Sequence, residues 1–280
     1  MATKLSHSTD HPTSGDARTN HNPWPMAIIT VLGVAAAIVM AFIGSGAMGG
    51  TPVAEAAGGA LSADATPLAP AGTAFSIWSV IYVGLASYAI WQLTPTARAS
   101  ERQRVLRPWA LLSALLNAGW LFTVQLELLW LSVVVILLLL AVLIRIMYIL
   151  GRPRTGGIVE MILTDGTFGL YFGWVLVATF ANTYATFSAE GFTSFEEIPV
   201  GIVGIVVAAA VAVLAAMLDG GRIAPALATA WGLAWVAVAR TEGTFDSETL
   251  VWTAAIAAAV VLLAAIIVRI MTARGATARP

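Results

Sequence analysis

Residues 129–150 read LWLSVVVILLLLAVLIRIMYIL. The stretch carries one charge, Arg145, close to its end. A membrane-spanning helix needs about 20 consecutive, mostly apolar residues, and this run supplies them. Alone it also fits the buried helix of a soluble protein, so its neighbours decide. Upstream lie Pro25–Ile43, Phe75–Leu93 and Trp109–Leu126. Downstream lie Thr167–Phe187, Pro199–Leu218, Ile223–Ala239 and Leu250–Ile270. Eight such runs in succession leave no polar faces for water to solvate. The expected fold is therefore all-α: a polytopic membrane helix bundle of about eight transmembrane helices, with the lipid bilayer as its first partner. The split at Glu127 is the tightest, because very few residues separate the runs on either side of it.

Composition agrees. Of 280 residues, 59% are hydrophobic and 10% charged, against roughly 25% charged in soluble domains. There is no Cys, which excludes disulfides, thiolate catalysis and Cys-held metals. His7, His11 and His21 all lie in the polar N-terminal stretch, so no imidazole within the membrane is available as a haem ligand, proton relay or base. Without Cys, intramembrane His or an evident carboxylate cluster, no catalytic constellation emerges and none is assigned. The net charge of −1 points to no nucleic-acid partner.

Orientation follows from Lys and Arg, which are retained on the cytoplasmic side. The N-terminal tail has Lys4 and Arg18. The first loop, 44–74, has neither. The second connection has Arg98, Arg102, Arg104 and Arg107, and the fourth has Arg152 and Arg154. The fifth and seventh are acidic. The C-terminal end has Arg269, Arg274 and Arg279. Both termini are expected in the cytoplasm of a cell-membrane protein, and only Arg240 breaks the alternation. The first apolar run also reads as a signal peptide, with Ala54-Glu55-Ala56 as an A-x-A-like site. Its length and its long polar leader favour a retained helix. The loop that follows is long enough to serve as a lid or binding element.

Trp24, Trp91, Trp109, Trp130 and Trp252 fall at helix ends, where indole prefers the headgroup interface. Trp78, Trp120, Trp174, Trp231 and Trp235 lie deeper. With the helix directions fixed by charge, Trp78 and Tyr82 share one face in the outer half of the second helix. Asn117 and Trp120 share a face in the outer half of the third. Trp174, Ala178, Thr179 and Asn182 climb the fifth. Buried amides in lipid are costly unless bonded, so Asn117 and Asn182 should face other helices or a cavity. An aromatic layer with two amides beneath a long loop suits an apolar ligand pocket. The plain alternative is a pair of interhelical Asn hydrogen bonds with no ligand.

The order Pro70…Phe75-Ser76-Ile77-Trp78…Tyr82, then Asn117-Ala118-Gly119-Trp120, then Tyr171-Phe172-Gly173-Trp174…Ala178-Thr179…Asn182 resembles the TspO/MBR family of tryptophan-rich sensory proteins, related to the mitochondrial translocator protein. The resemblance implies a five-helix bundle over 25–187 and a loop-covered pocket for a porphyrin-like or sterol-like ligand. The matching positions are Trp78, Tyr82, Asn117, Trp120, Trp174, Ala178 and Asn182. Outside that bundle the sequence reads as a 1–24 disordered cytoplasmic tail, three additional transmembrane helices over 188–271 without counterpart in the short family members, and a 272–280 cytoplasmic tail. Departures are Gly72 in place of the family's loop Trp and Leu170 in place of its fifth-helix Pro. The expected function is a membrane receptor or regulatory protein for a hydrophobic aromatic molecule. The alternative is a secondary transporter or permease subunit moving such a molecule. Gly169 and Gly173, with Ala181 continuing the small face, suit close helix approach and make a homodimer conceivable without establishing one. Thr164-Asp165-Gly166 reads as a helix start capped by Asp165.

Overall fold

The computed structural model describes residues 24–45, 51–53 and 55–277. The expected tail before Trp24 and Ala54 of the A-x-A site lie outside them. Among the described residues the regular structure is all helical: α1 (Trp24–Gly44), α2 (Ile77–Trp91), α3 (Pro95–Ala99), α4 (Glu101–Gln125), α5 (Leu129–Leu150), α6 (Gly157–Glu160), α7 (Thr167–Ala189), α8 (Ile198–Asp219), α9 (Ile223–Ala239) and α10 (Glu248–Thr277). A π-helical turn, Met161–Gly166, joins α6 to α7, and a 3₁₀ turn, Gly72–Ser76, leads into α2.

Among the described residues, seven helical segments are long and apolar enough to cross a membrane. The remaining long element, α9, has 17 residues. At about 1.5 Å per residue it reaches ~26 Å, slightly under the ~30 Å hydrocarbon core. It still runs the height of the bundle. Arg222 before it bonds the Leu150 carbonyl at one end, and Arg240 after it meets the 51–76 loop at the other. The described residues thus traverse the bundle eight times. All described arginines except Arg240 gather at one end, here the arginine end, and the 51–76 loop covers the opposite, loop end.

Local chemistry sets the reversals. Thr94 and Ser100 side chains accept the Ala97 and Gln103 amides at the starts of α3 and α4, the usual remedy for orphan N–H groups. At the tight α4–α5 turn Glu127 takes φ +58°, and the Leu128 amide reaches back to the Thr123 carbonyl. Gly220 closes α8 with φ +77°, where a Cβ would be strained.

Three expected boundaries move. The third span starts eight residues before Trp109, at Glu101, and carries Arg102, Gln103 and Arg107 into buried positions. The fifth does not begin at Asp165, because helical structure already starts at Gly157 and Asp165 sits inside the π turn. Asp165 is therefore no N-cap. The eighth runs to Thr277 rather than Ile270. Trp91 is buried, so the interfacial-anchor reading fails for it, whereas Trp24, Trp130 and Trp252 are exposed.

Two apolar cores share α7. One joins α1, α2, α4, α5 and α7, and the other joins α7 to α8, α9 and α10 and includes Leu68 of the loop. Close approach between α7 and α9 needs glycine. A Cβ on Gly173 would collide with the Pro225 backbone, one on Gly169 with Ala224 and Pro225, and one on Gly232 with Val177. The Gly169/Gly173 face is thus occupied by α9 of the same chain.

Candidate functional site

The predicted site residues come together at the loop end. The Asn117 amide donates to the Tyr82 hydroxyl at 3.1 Å. Tyr82 stacks on Trp78 with ring centroids 5.3 Å apart, and Trp78 meets Trp174 edge-on at 6.3 Å. Phe75 adds a second edge contact to Trp174 at 5.7 Å. Trp120, Trp174, Ala178 and Asn182 then share the wall of a small cavity with Phe75, Ala69 and Pro70. Trp78, Tyr82 and Asn117 stand behind that wall, joined to it through the Trp78–Trp174 contact. Asn182 is satisfied by α5: its amide donates to the Ser132 hydroxyl at 3.0 Å. Asn182 therefore makes the interhelical bond of the plain alternative, and so does the amide nitrogen of Asn117.

Other polar atoms of the cluster are left over. The indole nitrogens of Trp120 and Trp174 and the Asn117 side-chain oxygen are buried without a hydrogen-bond partner. Each such atom costs on the order of 1–3 kcal/mol, so three in one aromatic cluster call for an explanation. The cavity holds about 30 Å³, whereas pockets for drug-sized ligands measure roughly 300–1,000 Å³. The cavity is thus far smaller than such a ligand.

The loop closes it. Thr66, Pro67, Leu68, Ala69 and Pro70 are all buried. Pro67 lies against Gly201 and Leu68 against Gly204, positions where a Cβ would not fit. The loop is held chiefly from α9. The Trp231 indole donates to the Ala74 carbonyl at 3.0 Å, and the Ala71 amide donates to the Trp235 carbonyl at 3.1 Å. Arg240, fully buried, donates to the carbonyls of Thr66 at 3.1 Å and of Ala63, with Ala69 at 3.5 Å. Burial pushes its guanidinium below the ordinary value and the nearby Asp64 carboxylate opposes that shift. Asp64 also accepts the Thr244 amide at 3.1 Å. The residue that breaks the charge alternation is thus a loop clamp. Sequence reasoning marked Trp231, Trp235 and Arg240 as unexplained but could not supply their partners, which lie more than 150 residues away.

A second polar cluster sits at the arginine end. Arg102 pairs with Glu160 at 2.6 Å and Asp165 at 2.8 Å, and Arg222 pairs with Asp165 at 2.5 Å. Arg102 and Arg222 both donate to the Leu150 carbonyl. Gln103 bonds Glu160, and Gln92 links Gln103 to Arg107. The network ties the ends of α2 and α5 to the starts of α4, α7 and α9. The two acids are five residues apart, which an α-helix splays, and the π turn brings both to Arg102. No group of acids or histidines among the described residues is placed to hold a metal ion.

Comparison with known families matches residues 27–268 to the family described as TSPO-like protein. The match runs beyond the fifth apolar segment and includes α8, α9 and most of α10. Comparison with curated proteins and with solved structures found no match. A helical membrane bundle with the motif order in α2, α4 and α7, matched over nearly its whole length, belongs to the TSPO-like protein family.

Proposed function

We propose that the protein is an integral membrane receptor or regulator that binds a hydrophobic aromatic molecule, porphyrin-like or sterol-like, in the chamber beneath the 51–76 loop. The carrying observation is the set of unpartnered buried atoms, Trp120 Nε1, Trp174 Nε1 and Asn117 Oδ1, within one aromatic cluster. Two donors and an acceptor set among rings suit a flat ligand with polar edges. The rings supply apolar area, and the unpaired indole nitrogens of the two wall residues fix its orientation, with Asn117 behind them. Entry requires the loop to move, since the closed cavity admits about one water molecule. Trp78, Tyr82, Ala178 and Asn182 complete the surroundings. The division into a 25–187 bundle and a 188–271 extension belongs to this proposal, with the extension holding the loop. So does the orientation, with the loop end outside the cell membrane and both termini in the cytoplasm.

The test is intrinsic Trp fluorescence with a tetrapyrrole. Quenching should saturate. Trp120→Leu and Trp174→Leu should weaken binding more than Trp252→Leu, whose parent side chain is exposed on α10. Asn117→Leu should lower affinity by on the order of 1 kcal/mol. Quenching that rises linearly without limit, or normally folded Trp120 and Trp174 variants that bind as well as the parent, would defeat the proposal.

A further inference from the structure

A groove far larger than the chamber, about 720 Å³, lies open at the arginine end, between α5 and α8 over α7. Leu140 and Ile144 of α5 and Val211 and Leu214 of α8 form its walls, and Phe172 and Leu176 of α7 its floor. Its far end is polar, with Arg152, Arg222 and Asp219. Ile144 and Leu214 are more than half exposed in the bare protein, so this surface faces lipid rather than water.

The dimensions match one leaflet. From Leu140 to Gly151, α5 rises ~16 Å at about 1.5 Å per residue, and half of the ~30 Å hydrocarbon core is ~15 Å. The apolar trough therefore runs from near the membrane middle to the headgroup level, where the arginines stand. The charge there is one-sided. Asp219 accepts the Arg222 backbone amide within its own turn at 3.0 Å, and the Arg222 guanidinium is bound to Asp165. Arg152 is exposed and forms no ion pair among the described residues. Across this end arginines well outnumber Glu101, Glu160, Asp165 and Asp219.

We propose that the groove seats an anionic phospholipid, with an acyl chain along α5 and α8 and the phosphate at Arg152 beside Arg222. A sterol would leave Arg152 without a partner, and a small soluble anion would leave the apolar trough empty. The site is separate from the loop-end chamber and does not depend on what that chamber binds.

The experiment places the full chain in bilayers of equal parts phosphatidylglycerol and phosphatidylcholine. Gentle extraction and native mass spectrometry then count the retained lipids. Phosphatidylglycerol should be retained in preference. Arg152→Gln, a change at an exposed position, should reduce that preference roughly fivefold, as expected for one basic residue near a membrane surface. Ala215→Trp, which fills the groove from α8, should remove the retained lipid while leaving the helical content and thermal midpoint of the chain near the parent's. A parent that retains both lipids equally would overturn the proposal. So would Arg152→Gln retaining its full preference, or a folded Ala215→Trp protein that retains the lipid as the parent does.

Discussion

Replacing Arg240 by Gln should open the loop without unfolding the bundle. The guanidinium makes two firm hydrogen bonds to loop carbonyls, at Thr66 and Ala63, and a longer one to Ala69 at 3.5 Å. Charge-assisted bonds of this kind contribute about 1.5–3 kcal/mol each, so the gross loss is roughly 3–6 kcal/mol. Two effects offset part of it. A buried guanidinium carries a desolvation cost that Gln does not, and the Gln amide can keep one of the bonds. A net loss of about 2–4 kcal/mol in loop closure remains. At ~1.4 kcal/mol per tenfold, the open population should rise by roughly 30- to 1,000-fold. Hydrogen exchange followed by peptide mass spectrometry reads this directly. The amides of Ala69, Ala71 and Ala74 are protected while the loop is in place, because they donate to the carbonyls of Thr66, Trp235 and Ala71. Their exchange should accelerate by that factor in Arg240→Gln, while amides in the middle of α5 keep the parent's rate. Arg240→Lys should fall between the two, having the charge but not the fork. Unchanged loop protection in a folded Arg240→Gln protein would refute the clamp. So would uniform acceleration throughout the chain, which would assign Arg240 to global stability.

Two further outcomes follow from the same geometry. Asp165→Asn removes the shared partner of Arg102 and Arg222. Arg102 keeps Glu160, but Arg222 loses its carboxylate partner and the charged bonds to Asp165 weaken, at a cost of about 1.5–3 kcal/mol, so thermal unfolding in detergent should shift downward, and a parent-like midpoint would refute the role given to Asp165. For orientation, the chain's lack of Cys allows single replacements. Cys at Ala60 or Ser194 should react with an impermeant reagent in intact cells and Cys at Ser100 or Ala276 should not, and external labelling at Ser100 would invert the assigned topology.

What the sequence revealed and what it concealed divide along a physical line. Hydrophobic length is local information, so the eight apolar runs could be read directly. So could the tight turn at Glu127, whose left-handed backbone was not apparent but whose place was. The aromatic layer was legible because helix direction converts residue number into depth: Trp78, Trp120 and Trp174 lie on three helices yet meet in space, and Asn117 joins them through Tyr82. Polar residues inside apolar runs were harder, because their role depends on partners far away in sequence. Asp165 resembled a cap next to Gly166, and only the π turn shows that it faces Arg102 and Arg222. The first two turns of α4 read as a connection in the sequence because Arg102, Gln103 and Arg107 lower their hydropathy. Those side chains are buried against one another's partners instead of being solvated.

The same reasoning changes how the last three helices should be viewed. From sequence they follow a complete five-helix pattern and look appended. In the structure, Gly169 and Gly173 give α7 a smooth face that Pro225 and Ala228 of α9 fill, and α9 then presents Trp231, Trp235 and Arg240 to the loop. A chain ending near Gly191 would therefore expose that glycine face and release three of the loop's attachments together. It would keep Trp78, Asn117, Trp120 and Trp174 but lose the element that holds the cover over them. If the closed loop sets ligand residence, such a truncation should bind and release quickly, as Arg240→Gln should in milder form. The helices that look additional in the sequence thus include α9, which holds the loop over the aromatic cluster.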